Sequence, residues 1–393
     1  MSYYIDVFSD SINKYGEELC GDNVEIVSTE KGVIVVLADG LGSGVKANIL
    51  ATMTTKIAAT MMKNGATIYE TVDTIVHTLP VCSVRKLAYS TFTIVEINRD
   101  GTVYIAEYDN PPYFLINKNK DVKIERYTSI ARDKVVLESK FKLEADDYLV
   151  LVSDGIVHAG IEGLLRLGWQ WNNVNLFLNF LSKKEPCAKC LVSDTLNICK
   201  KLYSNKPGDD STIVAIKIKE CKYINIFTGP PKDKNKDKFA VEEFMKANGK
   251  KIVCGGTTAK IVERELNGKL EIDLSTLTED IPPIGKMEGI DLVTEGVLTL
   301  SKVIDNLKKY IKYSSYNKKE KLDWYFKTDA ASILTKNLIN ECTHLNLFVG
   351  KAVNPAHQNP NLSVDLSVKL NLIDELIVLM KKLRKIVTIT YFD

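Results

Sequence analysis

The stretch from Val33 to Gly44 constrains the fold of this chain more than any other. It is a continuous apolar run that ends in Asp39 and a turn with glycine at 40, 42 and 44. A run of this kind predicts a β-strand that is buried on both faces and is followed by a helix. At the strand end, the carboxylate of Asp39 and the carbonyl of Gly40 are hard oxygen ligands suited to Mg²⁺ or Mn²⁺. Taken alone, the stretch fits an ordinary strand-to-helix turn at least as well.

The same pattern of an acidic residue beside a glycine recurs at other predicted strand ends. The apolar run at 147–152 leads into Asp154-Gly155, and Gly208-Asp209-Asp210 precedes the apolar run at 211–216. A hairpin predicted from strands at 24–28 and 33–38 places Asp22 near Asp39. Carboxylates gathered at one edge of a sheet repel each other unless cations lie between them. The predicted acidic cluster, which two divalent ions would neutralise, comprises Asp22, Asp39, Asp154 and Asp209, with Asp210 beside it.

Composition limits the classes of protein to consider. The 393 residues suffice for two or three domains, and 45% hydrophobic and 26% charged residues are typical of a soluble globular protein. A net charge of +2 gives no general attraction to nucleic acid or membranes. The sequence has no apolar run of membrane-spanning length and no signal-like start, and its eight cysteines are scattered. We therefore expect a cytoplasmic protein with reduced thiols and neither nucleic-acid nor membrane partners.

The first half reads as many strands around few helices, a mixed α/β pattern with antiparallel pairing. Amphipathic spacing predicts helices at 45–64 and 67–79. Alternating or β-branched segments predict further strands at 3–9, 88–98, 102–107 and 113–117. The pair Cys187 and Cys190 has metal-like spacing on a predicted helix, but without a second pair we expect ordinary thiols rather than a zinc site.

Taken together, these motifs resemble the metal-dependent protein serine/threonine phosphatases of the 2C type. The resemblance is best to the bacterial branch typified by stage II sporulation protein E, and it covers about residues 1–219. It rests on Gly21-Asp22, Ala38 to Gly44, Ser90-Thr91, Asn110-Pro111-Pro112, Val152 to Ile156 and Gly208 to Thr212. It implies an α-β-β-α sandwich with two Mn²⁺ or Mg²⁺ ions at one end.

The resemblance also implies roles for individual residues. Asp39 would bridge the two ions, Asp22 and the Gly40 carbonyl would hold one, and Asp154 and Asp209 would hold the other. Water activated between the cations would attack phosphorus in line, without a covalent enzyme intermediate. The implied substrate is a phosphoserine or phosphothreonine protein, in this branch often a small regulator resembling an anti-sigma-factor antagonist.

The chain departs from the pattern of eukaryotic members at two points. Leu41 stands where those members carry a histidine that acts as a general acid, and no arginine can be assigned to the substrate phosphate. The bacterial branch often lacks both groups, so the departure lowers the expected rate rather than excluding the chemistry. It also leaves open a weakly active or inactive phosphatase fold that serves as a sensor.

Residues 220–393 form a separate predicted domain with a different pattern. Strand, glycine turn and helix alternate, which predicts an open α/β, Rossmann-like domain with a largely parallel sheet. Its predicted strands lie at 223–227, 251–254, 291–293, 345–349 and 386–391, and its predicted helices at 239–248, 259–266, 297–313, 330–342 and 370–385.

The turn after the second of these strands is the candidate ligand site of the C-terminal domain. Gly255, Gly256, Thr257 and Thr258 lie between a strand and a helix, where backbone N–H groups and threonine hydroxyls suit a small anion. Glycine turns at 229–231, 294–296 and 350–351 are expected at the same edge of the sheet. The motif is neither a complete dinucleotide fingerprint nor a P-loop, so a tight structural turn remains the alternative. We hypothesise that this domain binds a small anionic ligand or regulates the first.

Overall fold

A computed structural model of the protein describes residues 2–78, 90–117, 122–131, 134–161, 163–184, 187–312, 322–352 and 364–393. The chain divides into two compact units, residues 1–220 and 221–393. Both combine helices with β-sheet, as the sequence analysis predicted. Among the described residues, no helix combines the length and apolar character that crossing a membrane requires.

The N-terminal unit contains two antiparallel sheets and five helices within its described residues. Its strands are β1 (Tyr3–Ile12), β2 (Asp22–Ser28), β3 (Gly32–Gly40), β4 (Ser90–Asn98), β5 (Thr102–Tyr108), β6 (Phe114–Ile116), β7 (Glu125–Ala131), β8 (Lys134–Lys142), β9 (Tyr148–Val152) and β10 (Ser211–Glu220). Its helices are α1 (Gly44–Lys63), α2 (Ile68–Thr78), α3 (Asp154–Val157), α4 (Trp171–Lys184) and α5 (Ala188–Leu202). The strand orders are β2-β3-β4-β5-β8-β7 in one sheet and β1-β10-β9-β6 in the other.

Strand β3 explains how the layers of this unit pack. Val35 and Leu37 are buried in a core shared with strands of the other sheet, including β1, β9 and β10. Val36 and Ala38 point the opposite way, into a core that includes buried residues of α1 and α2. Since successive side chains of a strand alternate between faces, the continuous apolar run reflects burial on both sides. Helix α5 packs against β1 and β10 on the other sheet, so helices flank both sheets.

The secondary-structure predictions for this unit are confirmed where elements were assigned, with two exceptions in their extent. Predicted residue 79 of the second helix and residues 88–89 of the fourth strand lie outside the described residues. No element had been assigned to the segments that form β7, β8 and α4. The expectation of ordinary thiols at Cys187 and Cys190 is wrong, because the start of α5 brings the two sulfurs together in a disulfide.

The C-terminal unit is built on one seven-stranded sheet. Its strands are β11 (Tyr223–Thr228), β12 (Lys250–Cys254), β13 (Glu271–Asp273), β14 (Ile284–Met287), β15 (Ile290–Thr294), β16 (His344–Gly350) and β17 (Ile386–Phe392). Its α-helices are α6 (Asp237–Lys246), α7 (Gly256–Leu266), α8 (Val297–Lys312), α9 (Ala330–Lys336) and α10 (Val364–Lys382). The strand order is β13-β14-β15-β12-β11-β16-β17.

Five neighbouring strands of this sheet, β15-β12-β11-β16-β17, run parallel to one another. Ile224 and Ile226 of β11 pack in a core with α8, α9 and α10, whereas Phe227 packs with α6 and α7. Helices therefore cover both faces, and the sheet is largely parallel as predicted, whereas the finer Rossmann-like assignment stays a prediction. The antiparallel strands β13 and β14 were not predicted.

Candidate functional site

Two of the predicted acids face each other across a pair of strands. Asp22 opens β2 and lies directly opposite Asp39 near the end of β3. On the other side of β3, Thr91 of β4 lies opposite Asp39, and the Ser90 hydroxyl donates a hydrogen bond to the Asp39 carbonyl oxygen at 2.9 Å. The hairpin register expected from the sequence is confirmed, and Ser90 adds a contact that fixes the end of β3.

The other predicted acids lie together at one end of the second sheet. Asp154 begins α3 immediately after β9, and Asp209 and Asp210 immediately precede β10, which pairs with β9. The Thr212 N–H donates to the Ser153 hydroxyl at 2.8 Å, and the Ser153 N–H donates to the Thr212 carbonyl at 3.0 Å. These two bonds bring the acid-bearing ends of β9 and β10 together.

The acidic ends of the two sheets meet around Gly21. The Asp210 Oδ2 atom approaches so closely that a Cβ on Gly21 would lie 2.9 Å from it. The other oxygen, Oδ1, accepts a hydrogen bond from the Lys14 N–H at 2.9 Å. Asp210 is itself buried, at 4% exposure. Sequence analysis gave it no separate role, although its place directly before a buried strand was the available signal.

The electrostatics of Asp22 indicate a site built for a positive charge. The residue is 5% exposed, and neither carboxylate oxygen has a hydrogen-bond partner among the residues that the structure describes. Burial raises its pKa to about 7, and the charges of Asp210 and Asp154 act in the same direction. The Thr212 and Ser153 hydroxyls counteract this rise without reaching hydrogen-bonding geometry. A buried carboxylate without partners is costly, and a bound cation would relieve that cost.

Asp39 experiences the whole acidic cluster. Burial, together with the nearby charges of Asp22, Asp154, Asp209 and Asp210, raises its pKa to about 9. Burial also raises the pKa of Asp209, with Asp154 adding to the effect. The acids of both sheets are therefore close enough to interact electrostatically, and the charges of the other four raise the pKa of Asp39.

Carboxylate oxygens are the donors that Mg²⁺ and Mn²⁺ prefer, so the chemistry of this set fits such ions. As they stand, however, no three His, Cys, Asp or Glu side chains within the described ranges are grouped tightly enough to hold one ion. Asp22 and Asp39 are thus neighbours on paired strands, but the acids of the described residues do not form a complete coordination sphere for one ion.

Helix α1 is attached to the segment that leads into this region. The Asn48 side chain donates to the Cys20 carbonyl at 2.8 Å, and the Asn23 side chain donates to the Thr55 hydroxyl at 2.6 Å. At the start of the helix, the Ser43 hydroxyl donates to the Glu17 carboxylate at 3.1 Å. The glycine turn after Asp39 therefore leads into a helix whose first turns contact the residues flanking Asp22.

In the C-terminal unit, Gly255 to Thr258 lie at the predicted edge of the sheet. Gly255 precedes α7, with φ +117°, and its N–H donates to the Thr294 carbonyl at 2.8 Å. Gly256 and Thr257 are exposed. The Thr258 hydroxyl is buried and accepts a hydrogen bond from the Gly229 N–H at 2.8 Å. That hydroxyl therefore joins the start of α7 to the turn after β11, whereas the sequence had suggested that it faces a ligand.

The other glycine turns occupy the same edge, as expected. Turns 229–231, 294–296 and 350–351 follow the carboxyl ends of β11, β15 and β16. The turn at 294–296 carries a carboxylate of its own, that of Glu295. The Glu295 carboxylate accepts hydrogen bonds from the N–H groups of Val297 and Leu298, so α8 begins with its own anion in place.

Comparison with known proteins identifies a family that part of this chain resembles. Residues 29–219 match the family model described as stage II sporulation protein E (SpoIIE). No curated protein sequence matched the chain.

Three solved structures illustrate the similarity. The phosphatase domain and a regulatory fragment of SpoIIE from Bacillus subtilis align with a TM-score of 0.46 at 21% identity, covering 56% of this chain and 64% of that one. The chain thus spans less than two thirds of that relative. The RsbU and RsbW domains of Rv1364c from Mycobacterium tuberculosis align at 0.48 and 15% identity, covering 62% and 70%. RsbX in complex with magnesium aligns at 0.40 and 16% identity, covering 55% and 96%. Residues 29–219, just under half of this chain, are therefore similar to the SpoIIE family.

Proposed function

We propose that residues 1–219 form a metal-dependent phosphatase domain that removes phosphate from phosphoserine or phosphothreonine in a partner protein. The observation that carries this proposal is the buried Asp22 carboxylate, which lacks hydrogen-bond partners and lies opposite Asp39. The match of residues 29–219 to the SpoIIE family supports the same activity.

We infer that two Mn²⁺ or Mg²⁺ ions bind among these acids. Asp39 would be shared between the ions, with Asp22 and the Gly40 carbonyl on one side and Asp154 and Asp209 on the other. When bound, the ions would activate water as the nucleophile and offset charge on the phosphoryl oxygens.

The residues around the acids perform the positioning. The Ser90 hydroxyl donates a hydrogen bond to the Asp39 carbonyl, and the Lys14 N–H donates one to the Asp210 carboxylate. These two bonds restrict the movement of both acidic residues. Leu41 follows Asp39-Gly40 and has no proton to give. Leu41 therefore cannot protonate the leaving serine or threonine oxygen, which lowers the expected rate relative to sites with a positioned acid.

The experiment is a Mn²⁺-dependent assay of the full chain on p-nitrophenyl phosphate and on a phosphoserine protein. We expect phosphate release that EDTA abolishes and that falls at least about 100-fold in Asp39→Asn and Asp154→Asn. Asp73→Asn on α2 is the matched control, because its carboxylate is about half exposed to solvent. Equal rates in the wild type and the two site variants would exclude the proposal.

We propose a phosphorylated regulator resembling an anti-sigma-factor antagonist as the substrate class, and a role in cytoplasmic signalling. This follows from the bacterial branch that the motifs resemble. A panel of phosphoserine proteins with and without that fold tests it. Equal turnover across the panel would contradict the substrate class while leaving the phosphatase activity in place.

For residues 220–393 we propose a ligand-binding or regulatory α/β domain, with Gly255 to Thr258 as its site for a small anion. The exposed Gly256 and Thr257 at the start of α7 support it, because ligands of parallel sheets bind at this edge. Inorganic phosphate should raise the melting temperature of the full chain, and Gly256→Asp should abolish the rise. An unchanged melting temperature at millimolar phosphate would contradict this assignment.

The alternative function is a phosphatase fold that acts as a sensor with little or no turnover. Leu41 in place of an acid catalyst is the observation that favours it. This alternative predicts Mn²⁺ binding by calorimetry without phosphate release from any substrate in the panel. Measurable Mn²⁺-dependent turnover that requires Asp39 excludes it.

A further inference from the structure

The first turn of α5 carries a feature that the proposed phosphatase chemistry does not use. Cys187 immediately precedes the helix, Cys190 lies in its first turn, and the two form a disulfide that spans three positions. Both residues are partly exposed. Two cysteines at this spacing at a helix start are an arrangement in which sulfur chemistry is reversible.

The local environment stabilises negative charge on one of the two sulfurs. The Cys190 N–H donates a hydrogen bond to the Cys187 Sγ atom at 3.0 Å. The positive end of the helix dipole also favours an anion at this point. Once the disulfide is opened, Cys187 is therefore the better thiolate and the better nucleophile.

Three buried cysteines of the described residues provide a contrast. Cys199, Cys254 and Cys342 are free thiols, and burial raises the pKa of each to about 12. A thiol with so high a pKa carries little thiolate at neutral pH and reacts slowly. The two sulfurs at the start of α5 therefore differ from these three buried thiols, while Cys20 and Cys221 are free thiols that are partly exposed.

A purely structural role does not account for this disulfide. A bond that closes so short a loop removes little freedom from the unfolded chain, so it stabilises the fold less than a long-range bridge. The helix start is also held by other contacts. Ala188 and Leu191 are buried, and the Leu191 N–H donates to the Cys187 carbonyl at 3.1 Å. The Lys189 ammonium lies 5.8 Å from the centre of the Phe8 ring on β1. Because none of these contacts involves the S–S bond, we expect them to persist when the bond is opened.

We propose that Cys187 and Cys190 form a reversible thiol–disulfide exchange site that reacts with external disulfides and dithiols. In the oxidising direction, the Cys187 thiolate attacks an external disulfide, forms a mixed disulfide and releases one external thiol. Cys190 then loses its proton and attacks the Cys187 sulfur, which closes the internal disulfide and releases the second external thiol. Two electrons pass to the external disulfide, and two protons end on the released thiols. Reduction by an external dithiol is the reverse of these steps.

The test uses the folded full chain, equilibrated with dithiothreitol and its oxidised form at a series of ratios. Free thiols are trapped with iodoacetamide and located by peptide mapping. We expect two additional alkylated cysteines, at 187 and 190, in reducing buffer, and their loss when oxidised reagent is restored. Cys187→Ser and Cys190→Ser should both lose this reversible pair. Cys199→Ser is the matched control, because it removes a buried thiol from the same helix and should leave the exchange unchanged.

Two further measurements separate exchange from unfolding and from adventitious reaction. Circular dichroism should be the same in both buffers, and after reduction Cys187 should alkylate at least about tenfold faster than Cys199 at pH 7. The proposal is overturned if the thiol count at 187 and 190 stays constant across all ratios, or if it changes only with loss of helical signal. Neither readout depends on phosphatase activity, so each hypothesis can fail without the other.

Discussion

The Asn48 side-chain amide donates a hydrogen bond to the Cys20 carbonyl oxygen at 2.8 Å, which links α1 to the segment leading into Asp22. Cys20 precedes Asp22 by two residues, so this hydrogen bond stabilises both the position of α1 and the segment that carries Asp22. We expect Asn48→Ala to cost about 1 kcal/mol of stability and to weaken Mn²⁺ binding. Thermal melting and calorimetry check both effects.

Lys46→Ala is the control for this prediction, because Lys46 lies on the same helix and is exposed. Loss of stability without any change in Mn²⁺ affinity would mean that α1 supports the fold but not the metal region.

The glycines of the turn after β3 have different requirements. A Cβ on Gly40 would lie 2.0 Å from the backbone oxygen of Ala47, whereas one on Gly42 would meet no atom within 4 Å. We expect Gly40→Ala to cost about 3 kcal/mol or more, since backbone has to move. Gly42→Ala should cost only about 1–2 kcal/mol, because its φ of +109° is strained for alanine. Urea unfolding of the two variants measures the difference, and equal losses would be inconsistent with this packing.

The acidic cluster should make the metal-free protein less stable than its uncharged variants. Asp39→Asn removes a carboxyl group whose pKa of about 9 makes the folded state take up a proton near neutral pH, and it should raise the melting temperature in EDTA. A gain of about 1 kcal/mol corresponds to roughly 2–4 °C for a domain of this size. The same variant should lose most of the stabilisation that Mn²⁺ gives the wild type. A lower melting temperature than wild type in EDTA would contradict this reading of the cluster.

Glu107 provides a pH dependence away from the metal region. It is buried on β5, burial raises its pKa to about 7, and its carboxylate accepts a hydrogen bond from the Tyr113 N–H at 3.1 Å. Since this pKa is above the unfolded value of 4.5, the native state binds the proton more tightly. The contribution of Glu107 to stability is therefore fully present below about pH 4.5 and is lost as pH rises through about 7.

Glu107→Gln should remove this dependence, and a variant measured from pH 5 to 8 should gain up to roughly 3 kcal/mol relative to wild type. Glutamine keeps an oxygen for the Tyr113 N–H. Glu30→Gln, at an exposed turn, is the control. Parallel stability curves for wild type and Glu107→Gln would disprove the assignment.

Thr258 distinguishes structural support from ligand binding in the C-terminal unit. Thr258→Val leaves the buried Gly229 N–H without its acceptor and should cost about 1–3 kcal/mol. Thr257→Val, one residue earlier and exposed, should change stability by less than about 0.5 kcal/mol. Chemical denaturation of both variants measures the contrast, which a similar loss in each would refute.

The apolar runs made the main elements of both units predictable, because burial on both faces gives a strong signal. The β2–β3 hairpin also set the pairing of Asp22 with Asp39. Strand β8 was missed because it lies towards the side of its sheet where Val135 and Leu137 remain more than half exposed. Exposure on that face removes the pattern on which the sequence prediction depends.

Contacts between distant segments were beyond the sequence analysis for a different reason. The approach of Asp210 to Gly21 depends on how two sheets pack. The hydrogen bond between Thr258 and Gly229 depends on how the start of α7 meets the turn after β11. Neither is encoded in local periodicity. The Cys187–Cys190 disulfide was missed because the spacing alone did not reveal which helix position each sulfur occupies.

Strand β3 has a consequence for how this site tolerates change. Asp39 has the same parity along the strand as Val35 and Leu37, which point between the two sheets. The direction of the carboxylate is therefore inherited from the alternation that builds the core. A single residue inserted or deleted between Ile34 and Ala38 would turn Asp39 towards α1 while the rest of the hairpin could still pair. The alternation that buries Val35 and Leu37 between the sheets therefore also sets the side of β3 on which the Asp39 carboxylate lies.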